Sequence, residues 1–200
     1  MERKERKKRG FLLILITLSI LAFGCSQGAV NITGPSSTTT TELSVANDPD
    51  LQLVKKYNAD KFGGFVNRWN KSVVTVYDTT GRSDLQIALD EINAALGGKL
   101  TLIKSGSSGD IKIEKGSSNY AYDAGDFDHS YIEARVIISN PSEPTYIYVY
   151  KHELLHAIGF KEHTLSGLMN PNGCACFIDD EISRTLRKLY DLPVGTKLVS

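Results

Sequence analysis

Residues 152–163 read HELLHAIGFKEH and hold three of the four histidines of this 200-residue chain. His152 and His156 are four residues apart, so on a helix they lie one turn apart on the same face. Two imidazole nitrogens on one face can bind a single metal ion. Glu153 lies one step round the helix, beside such an ion, where it can reach a water bound to it. The stretch therefore predicts a helix that carries a metal site.

The helix is expected to end at Gly159, where the chain leaves it with a positive φ angle and can bring a third ligand back to the ion. Two residues compete for that place, Glu162 and His163. A carboxylate is an acceptable zinc ligand, but imidazole suits zinc well, and we expect His163 to bind. Three protein ligands and an open fourth position are typical of a catalytic zinc site.

The segment 152–159 together with Ser166-Gly167-Leu168-Met169-Asn170-Pro171 resembles the metzincins, whose signature is HExxHxxGxxH followed by a methionine turn. The second segment is similar to the turn of the matrixin branch, with Met169 as the methionine beneath the metal. One position departs from the pattern. Glu162 stands in the family's third-ligand slot, and His163 follows one residue late.

The resemblance implies an α+β fold: a small metzincin-like domain with a twisted, mostly parallel sheet, an antiparallel edge strand, an active-site helix and a C-terminal helix. It also implies a zinc-dependent endopeptidase that cuts proteins or peptides, with Zn²⁺ held by His152, His156 and the third ligand. Glu153 would be the general base for the attacking water. An extended substrate would pair with an edge strand above the cleft, expected at Ile132–Ile138.

The rest of the domain, from Trp69 onward, has the pattern of a packed α+β domain. Apolar residues recur at helical spacing from Leu85 to Leu96, before Gly97 and Gly98 end that helix. A second amphipathic helix is predicted in IDDEISRTLRKLYDLP, residues 178–193. Strands are predicted in four β-branched or apolar runs, at Val73–Tyr77, Leu100–Ile103, Ile111–Ile113 and Ile132–Ile138.

The N-terminus is typical of a secretory signal peptide over residues 1–24. Six basic residues precede an apolar run from Phe11 to Phe23, which is shorter than the roughly 20 residues of a membrane-spanning helix. Leu21-Ala22-Phe23-Gly24-Cys25 resembles the lipobox of bacterial lipoproteins. That resemblance implies a lipidated Cys25 and an exported, membrane-anchored protein on the extracytoplasmic side. An uncleaved signal anchor is the alternative.

Residues 25–48 are predicted to be the lipidated cysteine and a flexible linker, because Ser, Thr, Gly and Asn predominate there. Residues 49–200 then form the catalytic domain. Of the 23 basic and 23 acidic residues, the signal contains six and two, so the mature chain has 17 basic and 21 acidic residues and a net charge of −4. This charge gives no electrostatic footprint for nucleic acid. We expect a monomer.

Three questions stay open at the level of sequence. Asp126, Asp128 and His129 could bind a second metal ion or belong to a solvated polar loop. Cys174 and Cys176 could be reduced, bridged or joined to another molecule, since neighbours this close make a strained disulfide. The alternative function is a surface lipoprotein that binds a partner and uses its metal only structurally, although a structural site has no need of Glu153.

Overall fold

The computed structural model describes three ranges of the chain, residues 40–125, 128–171 and 176–200. Several predicted features lie outside these ranges: the signal peptide, Cys25, the linker as far as residue 39, Asp126 and Cys174. Within the described ranges, no helix has the length and apolar character needed to cross a lipid bilayer.

The described part of the chain is an α+β domain with four α-helices and eight strands. The helices are α1 (Pro49–Tyr57), α2 (Leu85–Leu96), α3 (Ile147–Ala157) and α4 (Asp180–Asp191). The strands are β1 (Glu42–Ser44), β2 (Arg68–Trp69), β3 (Val73–Asp78), β4 (Thr101–Ser105), β5 (Ile111–Lys115), β6 (Tyr120–Gly125), β7 (Ser130–Ile138) and β8 (Lys197–Val199). Short 3₁₀ helices occur at Ala59–Phe62 and Pro144–Tyr146.

The main sheet has the order β2-β7-β5-β3-β4 with every pair parallel, and β6 pairs with β7 in the antiparallel direction. The predicted class, α+β with a mostly parallel sheet, is therefore confirmed. The predicted helix over 85–96 has the same bounds in the structure. The first residues of α3, Ile147 to Tyr150, have a local preference for a strand, but they form a helix because of their tertiary packing.

The expectation that Ile132–Ile138 is an edge strand is wrong. These residues belong to β7, which pairs with β5 and also with β6. The physical reason is that Tyr120–Gly125, where the sequence predicts no strand, forms β6 on β7 and covers its edge. Among the described residues, β6 pairs with no strand other than β7, so β6, like β4 at the other end of the sheet, has a free edge.

The core lies between the sheet and the helices. Residues paired across parallel strands share a face, and Val76, Ile111 and Ala134 form one such buried row. The apolar side of α2 is fully buried. Burial of these side chains stabilises the fold by roughly 25 cal/mol per Å² of apolar surface removed from water. Helix α3 also packs on this sheet, where it contacts β6 and β7.

The folded part begins before residue 49. Glu42–Ser44, which the sequence suggested to be linker, forms β1 and pairs with β8 in a small parallel sheet. Helix α1 follows directly, capped by the Asp48 carboxylate, which accepts hydrogen bonds from the amides of Asp50 and Leu51. The last residues of the predicted linker are therefore built into the domain.

Candidate metal centre

Helix α3 carries the first two histidines on one face. The imidazole rings of His152 and His156 have their centroids 4.8 Å apart, as expected for residues one turn apart. Glu153 lies between them in the sequence and is buried, with 6% of its surface exposed. The opposite side of the helix, including Leu154 and Leu155, is in the core. Core packing therefore fixes the direction in which the histidines point.

The turn after the helix brings His163 back to the first two histidines. Gly159 has a φ of 110°, as the sequence predicted. The Nε2 atom of His163 lies 3.2 Å from that of His152 and 3.4 Å from that of His156. Glu162 points elsewhere, and its carboxylate forms an ion pair with Lys61 at 2.9 Å. Of the two competing residues, the structure brings His163 to the cluster.

The hydrogen bonds at the other ring nitrogens determine the tautomers. The Nδ1 atom of His152 lies 2.9 Å from the carbonyl oxygen of Leu168, and that of His156 lies 2.6 Å from the carbonyl oxygen of Phe160. A carbonyl oxygen only accepts, so both Nδ1 atoms carry the proton and both Nε2 atoms offer a lone pair. Burial lowers the pKa of His152, and it lowers that of His156 to about 3. Both rings are therefore neutral, which is the form that binds metal ions.

This arrangement fits a zinc ion. Ligands about 2.0–2.1 Å from a tetrahedral zinc are roughly 3.3–3.4 Å from one another, and the measured Nε2 separations of 3.2 and 3.4 Å match that spacing. Without an ion, a proton on the Nε2 of His163 could be donated to the Nε2 lone pair of either His152 or His156, but not to both. A cation between the three nitrogens would satisfy all of them. Within the described ranges, these histidines are the single group of three potential ligands so close together.

Glu153 lies in the same cleft as the three histidines but is not one of the three potential metal ligands. Its side chain lines a cleft of about 310 Å³, together with the three histidines. Burial raises the pKa of the Glu153 carboxyl to about 7. A divalent cation held by the histidines would favour the ionised form instead. In the metal-free protein, burial therefore favours the neutral form of this carboxyl more than water does.

The end of α3 is held by an unusual run of hydrogen bonds. The last carbonyl oxygens of a helix have no amide partner within the helix and need other donors. Here five consecutive carbonyl oxygens, those of residues 156 to 160, each accept a hydrogen bond from a side chain. The donors, in order, are Lys161 Nζ, Trp69 Nε1, the Tyr190 hydroxyl, Asn58 Nδ2 and His156 Nδ1. These bonds fix the turn that leads to His163.

Gly159 is required at this turn, and Gly159→Ala is expected to lower the free energy of unfolding by about 2–4 kcal/mol. Its positive φ is strained for alanine, and an added Cβ would lie 2.9 Å from the Cδ2 atom of Leu189. Gly63→Ala is the matched control, because Gly63 also has a positive φ but has no atom within 4 Å of an added Cβ. Urea unfolding measures both. Equal losses would show that the contact with Leu189 does not matter.

The predicted methionine turn contacts the site through its backbone. The carbonyl of Leu168 is the group that orients His152, and the carbonyl of Met169 accepts a hydrogen bond from the amide of Thr164 at 3.1 Å. Met169 itself is fully buried in the core. The turn therefore contributes both a hydrogen bond that orients His152 and a buried side chain to the core.

The other candidate residues are not brought to this site. The Asp128 carboxylate accepts hydrogen bonds from Ser130, and the ring of His129 stacks on Phe65 with centroids 4.7 Å apart. The carbonyl of Cys176 accepts a hydrogen bond from Lys151. The described part of the chain thus shows no second metal cluster, and Asp126 and Cys174 lie outside it.

Sequence reasoning missed several residues that hold the site in place. Trp69, Tyr190 and Asn58 reach the end of α3 from distant segments, and no local pattern identifies them. Lys161 could have been noticed, because a lysine between Gly159 and the third histidine lies in the middle of the metal-binding segment. Its partner, Asp123, gives no such signal.

Comparison with known proteins adds no relative. None of the protein-family models scanned against the chain matches it, and a search of curated proteins likewise finds no match.

Proposed function

We propose that the chain is a zinc-dependent endopeptidase of the metzincin type, similar to the matrixins. The observation that carries this proposal is the meeting of three histidine Nε2 atoms beside one buried glutamate that does not join them. A binding module with a structural metal site would not need Glu153. The mostly parallel sheet, the antiparallel strand β6 and the helix that carries the histidines also support the resemblance.

Each residue of the site has a role in this proposal. His152, His156 and His163 would hold the ion, which when bound would polarise the scissile carbonyl and make water nucleophilic near neutral pH. Glu153 would accept a proton from the attacking water and deliver it to the leaving amine. The carbonyls of Leu168 and Phe160 hold the two helix histidines in the required tautomer.

The substrate would be an extended peptide. The cleft lies between the histidines and one end of β6, with Asn119, Tyr120 and Ala121 on that side. Since β6 has a free edge in the described part of the chain, a peptide could add to it as a further strand. Main-chain hydrogen bonds would then give affinity with little dependence on the sequence of the substrate.

Metal analysis combined with a casein digest tests the proposal. The purified protein should contain one zinc per chain, digest casein, lose activity with a chelator and regain it when zinc is added back. Digestion by the metal-free protein would contradict the proposal, and so would a zinc-loaded protein that leaves casein intact.

We also propose that the protein is exported and anchored to a membrane through Cys25. Cys25→Ala should then release the protein from membranes or leave an unprocessed precursor, because acylation of that thiol supplies the anchor. Fractionation of cells followed by mass measurement of the chain distinguishes these outcomes. If the variant still fractionates as a mature membrane protein, the lipobox interpretation is wrong.

A further inference from the structure

One ion pair joins the two sides of the cleft. Lys161, in the turn between Gly159 and His163, pairs with Asp123 on the edge strand β6. Both side chains line the same cleft as the three histidines. Both are also well shielded, with 10% of the lysine side chain and 15% of the aspartate side chain exposed. Among the described ion pairs, this is the one between β6 and the histidine segment.

Lys161 is itself held from several directions. Its ammonium group donates to the carbonyl of His156 at 2.8 Å and lies 4.6 Å from the ring centroid of Tyr131. Its backbone amide donates to the carbonyl of Tyr57 at 2.7 Å. Because these contacts restrict the position of Lys161, its ion pair with Asp123 also restricts the position of β6.

The burial of this pair needs a reason beyond stability. Taking two charges out of water costs free energy, and apolar residues of similar volume would often give equal or greater stability. An ion pair with hydrogen bonds has a narrow range of lengths and directions, which an apolar contact does not. β6 has a strand on only one side, and besides its packing against α3 the ion pair gives it a direct, directional attachment to the segment that carries His163.

We propose that the Lys161–Asp123 pair fixes the position of β6 relative to the three histidines and so aligns an extended peptide on β6 with the metal centre. The alignment of the peptide rests on the proposed peptidase function, whereas the attachment of β6 does not. Lys161 and Asp123 are thus positioning residues. A misplacement of about 1 Å in such a site can cost roughly 10²-fold in rate.

The experiment replaces the pair and separates stability from position. Either Lys161→Met or Asp123→Leu alone leaves a buried unpaired charge and should destabilise the domain. The double variant removes both charges and should unfold near the wild-type temperature. In the zinc-free double variant, hydrogen exchange in residues 120–125 should rise by about 10-fold or more, while exchange in β3 stays unchanged.

The zinc-loaded double variant tests the alignment. Lys161 also donates to the carbonyl of His156, so the zinc affinity of the variant is measured first. It should stay within a few-fold of the wild type, because the other four side-chain hydrogen bonds at the end of α3 remain. The kcat/KM of the zinc-loaded variant for casein should fall by roughly 10- to 10²-fold. The matched control is Lys99→Met combined with Asp191→Asn, which removes an exposed ion pair of 2.5 Å elsewhere in the domain. The control should change neither hydrogen exchange in β6 nor the digestion of casein.

The outcomes separate the two proposals. Wild-type exchange in residues 120–125 of the double variant would overturn the attachment of β6, whether or not the protein is a peptidase. Faster exchange with unchanged casein digestion would overturn the alignment of substrate. A zinc-loaded wild-type protein without activity would overturn the proposed function and the alignment together, and the exchange data would still decide the attachment.

Discussion

Replacing Glu153 with glutamine is expected to leave the zinc content near that of the wild type while proteolysis falls by roughly 10²-fold or more. Glutamine has nearly the same shape but cannot accept the proton of the attacking water. The three histidine nitrogens do not depend on Glu153, so the metal should remain. Zinc analysis and casein digestion on the same preparation measure both quantities. Unchanged proteolysis in this variant would contradict the mechanism.

The stability of the metal-free variant gives an independent check of the same residue. Burial raises the pKa of Glu153 to about 7 in the folded protein, so the charged form is disfavoured there. A buried acid of this kind lowers stability as pH rises from its unfolded pKa, about 4.3, towards 7, and the loss is complete above 7. Glutamine carries no charge, so the variant should exceed the wild type in stability at pH 8 and match it near pH 4. Glu114→Gln on β5 is a control of opposite sign: the hydrogen bond from Lys112 lowers the pKa of Glu114, so this variant should lose stability at pH 8 rather than gain it.

Replacing His163 with alanine should remove most of the zinc affinity, whereas Glu162→Ala should retain it and change activity only modestly. The loss for His163→Ala should be at least about 10²-fold, since losing a group that only supports a ligand already costs 10- to 100-fold. The structure gives the reason. The Nε2 atom of His163 lies with those of the other two histidines, and Glu162 pairs with Lys61 at the surface.

Metal analysis of the two purified variants decides this assignment, with each variant serving as the control for the other. Zinc lost from Glu162→Ala but kept in His163→Ala would reverse it. The same result would mean that the turn after Gly159 rearranges when the ion binds.

The parts of the fold that sequence predicted are those with a strong local pattern. Helix α2 was predicted with its observed bounds, because its apolar residues repeat at helical spacing and two glycines end it. Strand β6 was missed because it has no apolar alternation. Tyr120 and Tyr122 are exposed, and the inward-facing Asp123 is satisfied by a lysine 38 residues later in the chain.

The same distinction applies to the metal centre. The spacing of His152, Glu153 and His156 on a helix follows from helical geometry alone, so it could be read from the sequence. Ligand chemistry favoured His163 over Glu162, but the sequence could not show the path of the turn, which brings His163 to the other histidines and leaves Glu162 beside Lys61, 101 residues away. Helix α1 is a different case. Asp48 and Pro49 are ordinary signals of a helix start, and they were available in the sequence.

The run of five side-chain hydrogen bonds at the end of α3 has a consequence for the order of folding and metallation. Its donors include Asn58, Trp69 and Tyr190, so the three histidines meet only after most of the chain has reached its native arrangement. In zinc fingers, by contrast, the ion is needed for the chain to fold at all. Here the apoprotein should fold first and then take up its ion at a finished site. Little conformational entropy remains to be lost on binding, so under the proposed export the ion could be acquired outside the cytoplasm.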